Sequence, residues 1–254
     1  MNSVLLTAIA AGGLMGTAHA QVAPFCIDWS VDGAGATLVN GQQLTDSAGG
    51  VFTFAALFEM ETFGSNLGAT VFDTDPAGPN SGGPDTDLLV DRGNVIMLQN
   101  NSSPTQTVPG IFDVPNDATG GGNGYDINFL GDAQLVSIEL ADINGGNDVD
   151  IVITDTNGLT RTYDVPSDWT GDPDNGFDGF GVLDLTILSD QFAGGPGNPA
   201  ATASEDAGFD PNSIDGMSIT FAGSGGWTNL KFVPTPGTAA MLGLGGLFAA
   251  RRRR

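Results

Sequence analysis

From Phe25 to Phe232 the chain carries almost no helical periodicity; short β-type runs alternate with clusters of Gly, Asp, Asn and Pro. A chain interrupted this often cannot build long helices, so its apolar residues must reach a core from strands. Strands are predicted at Phe25–Trp29, Thr37–Val39, Val51–Phe58, Ala69–Phe72, Asn94–Gln99 and Tyr125–Phe129. More follow at Leu135–Ala141, Val149–Thr154, Leu159–Val165, Gly181–Leu188, Ser213–Ala222 and Trp227–Phe232. In Leu135–Leu140 one face is polar at Ser137 and Glu139; in Met217–Phe221 the apolar set is Met217, Ile219 and Phe221. Asp155-Thr156-Asn157-Gly158 between two such runs is a hairpin signal. The expected fold is all-β, an antiparallel β-sandwich of jelly-roll type. The strands around Trp29 and Leu230 are expected to lie side by side, closing the termini together. Gly/Pro-rich loops fall near 76–84, 119–124 and 194–200, and no internal repeat is visible.

The two ends differ from this pattern. Val4–Met15 is apolar, and Ala18-His19-Ala20 before Gln21 is an A-x-A cleavage site for signal peptidase, although the n-region lacks Lys or Arg. Residues 1–20 therefore read as a signal peptide and 21–232 as the exported domain. The last segment, 233–254, has three parts: Val233-Pro234-Thr235-Pro236, an uncharged run Gly237–Ala250, and Arg251, Arg252, Arg253 and Arg254. An apolar run followed at once by cations is a stop-transfer pattern. The run has 14 residues, about 21 Å as a helix against a hydrocarbon core of about 30 Å. Such a tail makes a marginal anchor, suited to transient membrane association before processing.

This tail resembles a PEP-CTERM sorting signal, with Thr235 in the place of the family's usual Glu. The resemblance implies recognition by an exosortase-type processing enzyme and export through the inner membrane of a Gram-negative-type bacterium. It further implies a cell-surface or extracellular destination, often in an exopolysaccharide-rich matrix. The domain also resembles, more weakly, secreted sandwich domains found in front of such tails. Phe25–Trp29, the Asp-rich loop with its following strand, and Gly223–Phe232 carry that likeness.

The chain has 30 Asp+Glu against 7 Lys+Arg, and four of those seven are the terminal arginines. Without the tail three cations remain and the net charge is −27. Such a surface repels nucleic acid and anionic lipid headgroups. Cys26 is the only cysteine, so no internal disulfide forms; it is expected as a small buried residue of the first strand.

The acid is mostly Asp, which is both a turn residue and a short calcium ligand. Asp73 and Asp75 precede, and Asp85, Asp87 and Asp91 follow, a Gly/Pro turn. In extended chain each D-x-D pair presents two carboxylates on one side. If the loop folds back they converge and need a cation, with calcium the candidate; the alternative is a turn of Asx caps with no ion. A second group, Asp142, Asn144, Asn147, Asp148 and Asp150, lacks EF-hand order and reads first as a hairpin loop. A third, Asp168, Trp169, Asp172, Asp174 and Asp178, is a possible ligand loop. Its aromatics either stack on a sugar or tuck beneath the loop as a satellite core.

The only histidine is His19, which leaves with the signal peptide, so no Ser-His-Asp or Cys-His arrangement and no ordinary zinc site can be built. The expectation is a non-catalytic, calcium-supported surface or matrix protein that binds polysaccharide. A secreted glycan-active enzyme using paired aspartates, which needs only two carboxylates, and a purely structural coat protein are the alternatives.

Overall fold

The computed structural model describes residues 25–234 apart from 28, 30–36, 39–41, 45–57, 65–66, 119, 174–175 and 194–196. Residues 1–20, expected as a signal peptide, lie outside the described residues, as do Thr235, Pro236, the apolar run, the four arginines and 51–57 of one expected strand.

The fold is all-β and antiparallel, with one 3-10 turn at Thr86–Leu88 as the helical element among the described residues. The strands are β1 (Phe25–Ile27), β2 (Thr37–Leu38), β3 (Gln42–Leu44), β4 (Phe58–Phe63), β5 (Ala69–Asp73), β6 (Asn94–Leu98) and β7 (Asn123–Ala141). They continue as β8 (Val149–Asp155), β9 (Thr160–Val165), β10 (Phe180–Asp184), β11 (Thr202–Glu205), β12 (Ile214–Phe221) and β13 (Gly226–Pro234).

The two strands expected at Tyr125–Phe129 and Leu135–Ala141 are one 19-residue strand, β7. Its first half pairs with β12 on one side and β4 on the other, through Met217↔Ile127 and Met60↔Ile127. Its second half changes partners to β10 and β13, through Leu183↔Ile138 and Trp227↔Leu140. One half of β7 thus belongs to the run β11-β9-β8-β12-β7-β4-β3, the other to β10-β7-β13-β6-β5-β2. This arrangement is consistent with a β-sandwich, with β7 passing from one layer to the other. The expected closure of the ends is present: β1 pairs with β13 at Phe25↔Phe232 and Ile27↔Leu230.

Alternation determines which side chains reach the core. In β8, Val149, Ile151 and Ile153 are buried while Asp150 is exposed. In β12, Met217, Ile219 and Phe221 are buried in the same core. Trp29 meets Trp227 edge-on at 5.0 Å, Trp227 meets Tyr125 at 5.8 Å, and Tyr125 meets Phe221 at 6.1 Å. This row of rings lies within the main core. The hairpin at Asp155–Gly158 is closed by Gly158 N–H donating to the Asp155 carbonyl at 2.9 Å.

The polar face of β7 carrying Ser137 and Glu139 is buried, the two residues being only 9% and 4% exposed. The segment between β5 and β6 folds over that face and buries a second small core of Phe72, Leu88, Val95, Met97 and Ala141. The strand expected to reach Leu188 ends at Asp184, whose Oδ1 accepts both the N–H (2.8 Å) and the hydroxyl (2.6 Å) of Thr186, turning the chain away. Cys26 lies in β1 as expected but is half-buried, with Sγ 3.5 Å from Asn229 Oδ1.

Two of the domain's three cations have fixed partners. Arg92 donates Nε and Nη2 to the Glu139 carboxylate at 2.6 and 3.2 Å and lies 4.0 Å over the Phe180 ring. Arg161 donates Nε and Nη2 to Glu205 at 3.0 and 2.7 Å and Nη1 to the Leu185 carbonyl. Lys231 is exposed.

Candidate functional site

The loop between β5 and β6 is cinched at its base by Thr74. Thr74 N–H and Oγ1 both donate to the Gly93 carbonyl, and its Oγ1 accepts the Arg92 N–H at 2.7 Å. Fixing the base divides the five aspartates proposed as calcium ligands. Asp73 Oδ1 accepts the N–H of Asp75, and Asp75 Oδ1 accepts that of Ala77, so both carboxylates form Asx turns. Asp91 is exposed with φ +54° and gives its N–H to the Thr74 carbonyl. Among the described residues these acids form no group of three or more that could hold a metal ion. Asp85 and Asp87 instead sit at the 3-10 turn, on the opposite side of the loop's Gly/Pro bend.

Asp85 reaches across to a different segment. Its Oδ2 accepts the backbone N–H of Asp117 at 2.9 Å. The Asp85 and Asp117 carboxyls are hydrogen-bonded to each other. Asp117 Oδ2 also accepts the Gly225 N–H at 2.9 Å, in the turn between β12 and β13. With its amide nitrogen turned toward Asp85, Asn116 donates to Oδ1 at 2.7 Å and Oδ2 at 3.1 Å. Ser224 links the pair to a third acid: its hydroxyl bonds Asp117 and donates to Asp142 Oδ2 at 3.2 Å. Asp142 follows β7 with φ +61° and is fully buried; Asn144 Nδ2 donates to its Oδ1 at 2.6 Å. Asn147 Nδ2 in turn donates to Ser224 Oγ at 2.6 Å.

Burial raises these acids first, and neighbouring carboxylates raise them further. Asp85 is pushed up to about 8 by desolvation and by the Asp117 and Asp87 charges. Asp142 is likewise pushed up to about 8, by desolvation and by Asp87 and Asp117. Asp117 rises to about 6; desolvation leads, opposed by the Gly225 N–H. The charges acting on these three acids are all carboxylates, while Arg92 is committed to Glu139 and Arg161 to Glu205. Such a site takes up protons or a cation. Among the described residues no three acids are gathered into a ready cage for a metal ion.

The second expected group contributes Asp142, Asn144 and Asn147 to this network. Asp148 accepts the Ser167 N–H at 2.7 Å, and Asp150 is exposed. Asp117 was missed. It is a single acid in Val114-Pro115-Asn116-Asp117 with no spacing signal, and only the pairing Gln99↔Asp117 brings it to the cluster.

The third group does not form a sugar platform. Trp169 is fully buried, donates Nε1 to the Gln191 carbonyl at 3.0 Å and packs against Gly181, whose missing Cβ would lie 2.6 Å from the indole. Its ring belongs to the main core rather than to a separate satellite cluster beneath the loop. Asp168 has φ +65° and accepts the Gly145 N–H at 3.0 Å; the Asp172 carbonyl accepts the Phe177 N–H; Asp178 is exposed. Asp174, Ala18 and Ala20 lie outside the described residues. Val233 and Pro234 of the tail motif are the last two residues of β13, paired with Gln134 and Ala133.

No family model and no curated protein matches this chain.

Proposed function

We propose that the chain is an exported cell-surface or extracellular-matrix protein, non-catalytic, delivered through its PEP-CTERM-like tail. In this reading its domain is a jelly-roll-like sandwich, stabilised by calcium, that binds matrix polysaccharide. The observation that carries the calcium reading is the burial of Asp85, Asp117 and Asp142 beside Asp87 with no Arg or Lys among the charges acting on them. Calcium accepts carboxylate, amide and hydroxyl oxygens in an irregular shell of about 6–8. The acids are linked through hydrogen bonds and act on one another through their charge, and they form no ready metal cage, so an ion has to draw them inward. The ligand set differs from the five loop aspartates: Asp85 and Asp87 remain, Asp117 and Asp142 join, and Asp73, Asp75 and Asp91 leave.

Titrating calcium against magnesium into chelator-treated full-length protein, with melting temperature as the readout, tests this. A saturable shift specific to calcium supports the reading; a shift no larger than matched ionic strength gives overturns it. A ligand at about a hundred times its dissociation constant adds about 2.7 kcal/mol to the folded state. The sorting part is tested separately: deletion of Arg251–Arg254 should cause missorting, and normal surface delivery without them would refute it.

A second reading, a glycan-active enzyme using paired aspartates, is not favoured by the pair Asp85 and Asp117, because two carboxyls in hydrogen-bonding reach of each other are closer than the roughly 5–10 Å separation that glycoside hydrolysis uses. Hydrolysis of any polysaccharide in a panel, abolished by Asp85→Asn, would establish it. Their exposures of 8% and 4% favour the structural role instead.

A further inference from the structure

At the end of the sheets where β6 leaves and β7 begins lies a half-open hollow of about 190 Å³, lined by Gly64, Gln99, Asn100, Asn101, Ala118, Gly120 and Asn123. We propose that this hollow is a subsite for one neutral pyranose unit of a glycan. The proposal rests on the polysaccharide-binding reading and gives it a place.

Chemistry and size argue for this ligand. In a domain with a net charge of −27 the lining holds no ionisable side chain among the described residues. Four of the seven lining residues are amides, and an amide offers a donor and an acceptor together, as a sugar hydroxyl requires of its partner. An apolar cavity of about 150 Å³ takes up benzene; this one is larger and polar, so a substituted six-membered ring fits. The surrounding negative field disfavours a uronate, sulfate or phosphate in the same space.

The wall is built in advance. Gln99 is fully buried, and its Nε2 reaches the carbonyls of Asn100, Ser103 and Val114 at 3.4, 3.1 and 3.3 Å. Its Oε1 accepts the Asn116 N–H at 3.3 Å. Asn100 Oδ1 accepts the Ser102 N–H at 2.8 Å, and its amide nitrogen makes no hydrogen bond among the described residues. Asn123 donates Nδ2 to the Gly120 carbonyl. Its Oδ1 occupies the place a Gly64 Cβ would take, 2.2 Å from it. Asn101 is exposed, and its side chain makes no hydrogen bond among the described residues. The Asn100 amide nitrogen and the Asn101 amide are therefore the groups left for a ligand, on a framework already fixed by the bonds of Gln99 and Asn123, which lowers the ordering cost of binding.

The test uses saturation-transfer NMR on the full-length chain with glucose, galactose, mannose and N-acetylglucosamine, glucuronate as the acidic control, and gel retardation on neutral polysaccharides. Two variants alter the hollow without stressing the fold. Asn101→Ala removes an exposed amide. Gly120→Ala places a methyl 3.6 Å from Asn123 Nδ2, an ordinary contact that partly fills the space. The expected result is transfer to at least one neutral sugar and none to glucuronate, with about three- to tenfold weaker binding in each variant and unchanged melting temperature. Retardation on polysaccharide that both variants retain in full would overturn the subsite while leaving polysaccharide binding intact. No transfer and no retardation with the wild-type chain would overturn both.

Discussion

The backbone N–H of Asp117 donates to the carboxylate of Asp85 at 2.9 Å, across 32 positions of sequence. The bond joins the loop after β5 to the segment before β7 and places two buried acids side by side. Asp142 completes the group through Ser224. The acid group is held at the one place where three loops and the β12–β13 turn meet.

Without a divalent cation the domain should lose stability as pH rises from about 4 to about 8. A carboxyl whose pKa is higher in the folded state than in the unfolded chain binds protons more tightly when folded. Its contribution is fully present below the ordinary value of 3.8 and is lost as pH rises through about 6 for Asp117 and about 8 for Asp85 and Asp142. Melting temperature measured in chelator should therefore fall over this window, and saturating calcium should flatten the curve. Because calcium displaces protons, its affinity should rise with pH; an affinity flat between pH 5 and 8 would contradict the assignment.

Asp85→Asn and Asp142→Asn should raise the melting temperature in chelator at pH 8 and abolish the calcium-induced shift. Each removes a buried charge while keeping an oxygen to accept the Asp117 N–H or the Ser224 hydroxyl. Asp73→Asn and Asp91→Asn, outside the cluster, should leave the calcium response unchanged. Calorimetric scans of the four variants with and without calcium decide between this set and the five loop acids.

Arg92→Ala should destabilise the fold by about 2–3 kcal/mol, because Glu139 is left buried without its cation. Glu139 keeps one donor, Asn229 Nδ2 at 3.0 Å, and the Arg92 side chain is 38% exposed, so the loss stays below that of a fully buried pair. Arg92→Leu paired with Glu139→Gln should recover much of it. Urea unfolding of the single and double variants measures the coupling.

Trp169→Ala should cost about 3–5 kcal/mol, as large-to-small changes in a packed core do. Trp169→Phe should cost less, losing chiefly the bond to the Gln191 carbonyl. Neither should change glycan retardation so long as the variant is folded. Gly181→Ala should also destabilise, since its methyl would lie 2.4 Å from Ala193 Cβ and 2.6 Å from the indole. Urea unfolding gives the costs, and gel mobility gives the binding.

Local pattern alone determined that this domain is all-β. Alternation in Val149–Thr154 and Met217–Phe221, and the Asp155–Gly158 turn, depend on neighbours within a few residues, and the structure keeps all three. The meeting of the Trp29 and Leu230 regions was also legible, because the apolar strands at the two ends bury their apolar side chains by pairing with each other. A period of two tells which face of a strand a residue occupies but not what covers that face. The polar pair Ser137 and Glu139 therefore gave no sign that the β5–β6 loop folds over them, and Trp169 read as a possible platform until its indole was placed in the core. Charge gave the same limit. Thirty acids in a sequence permit many pairs, and proximity along the chain favoured Asp73 with Asp75. Only the tertiary structure brings Asp85, Asp117 and Asp142 together, because hydrogen bonds from Asp117 and Gly225 N–H groups and the Ser224 hydroxyl hold like charges at positions no spacing rule connects.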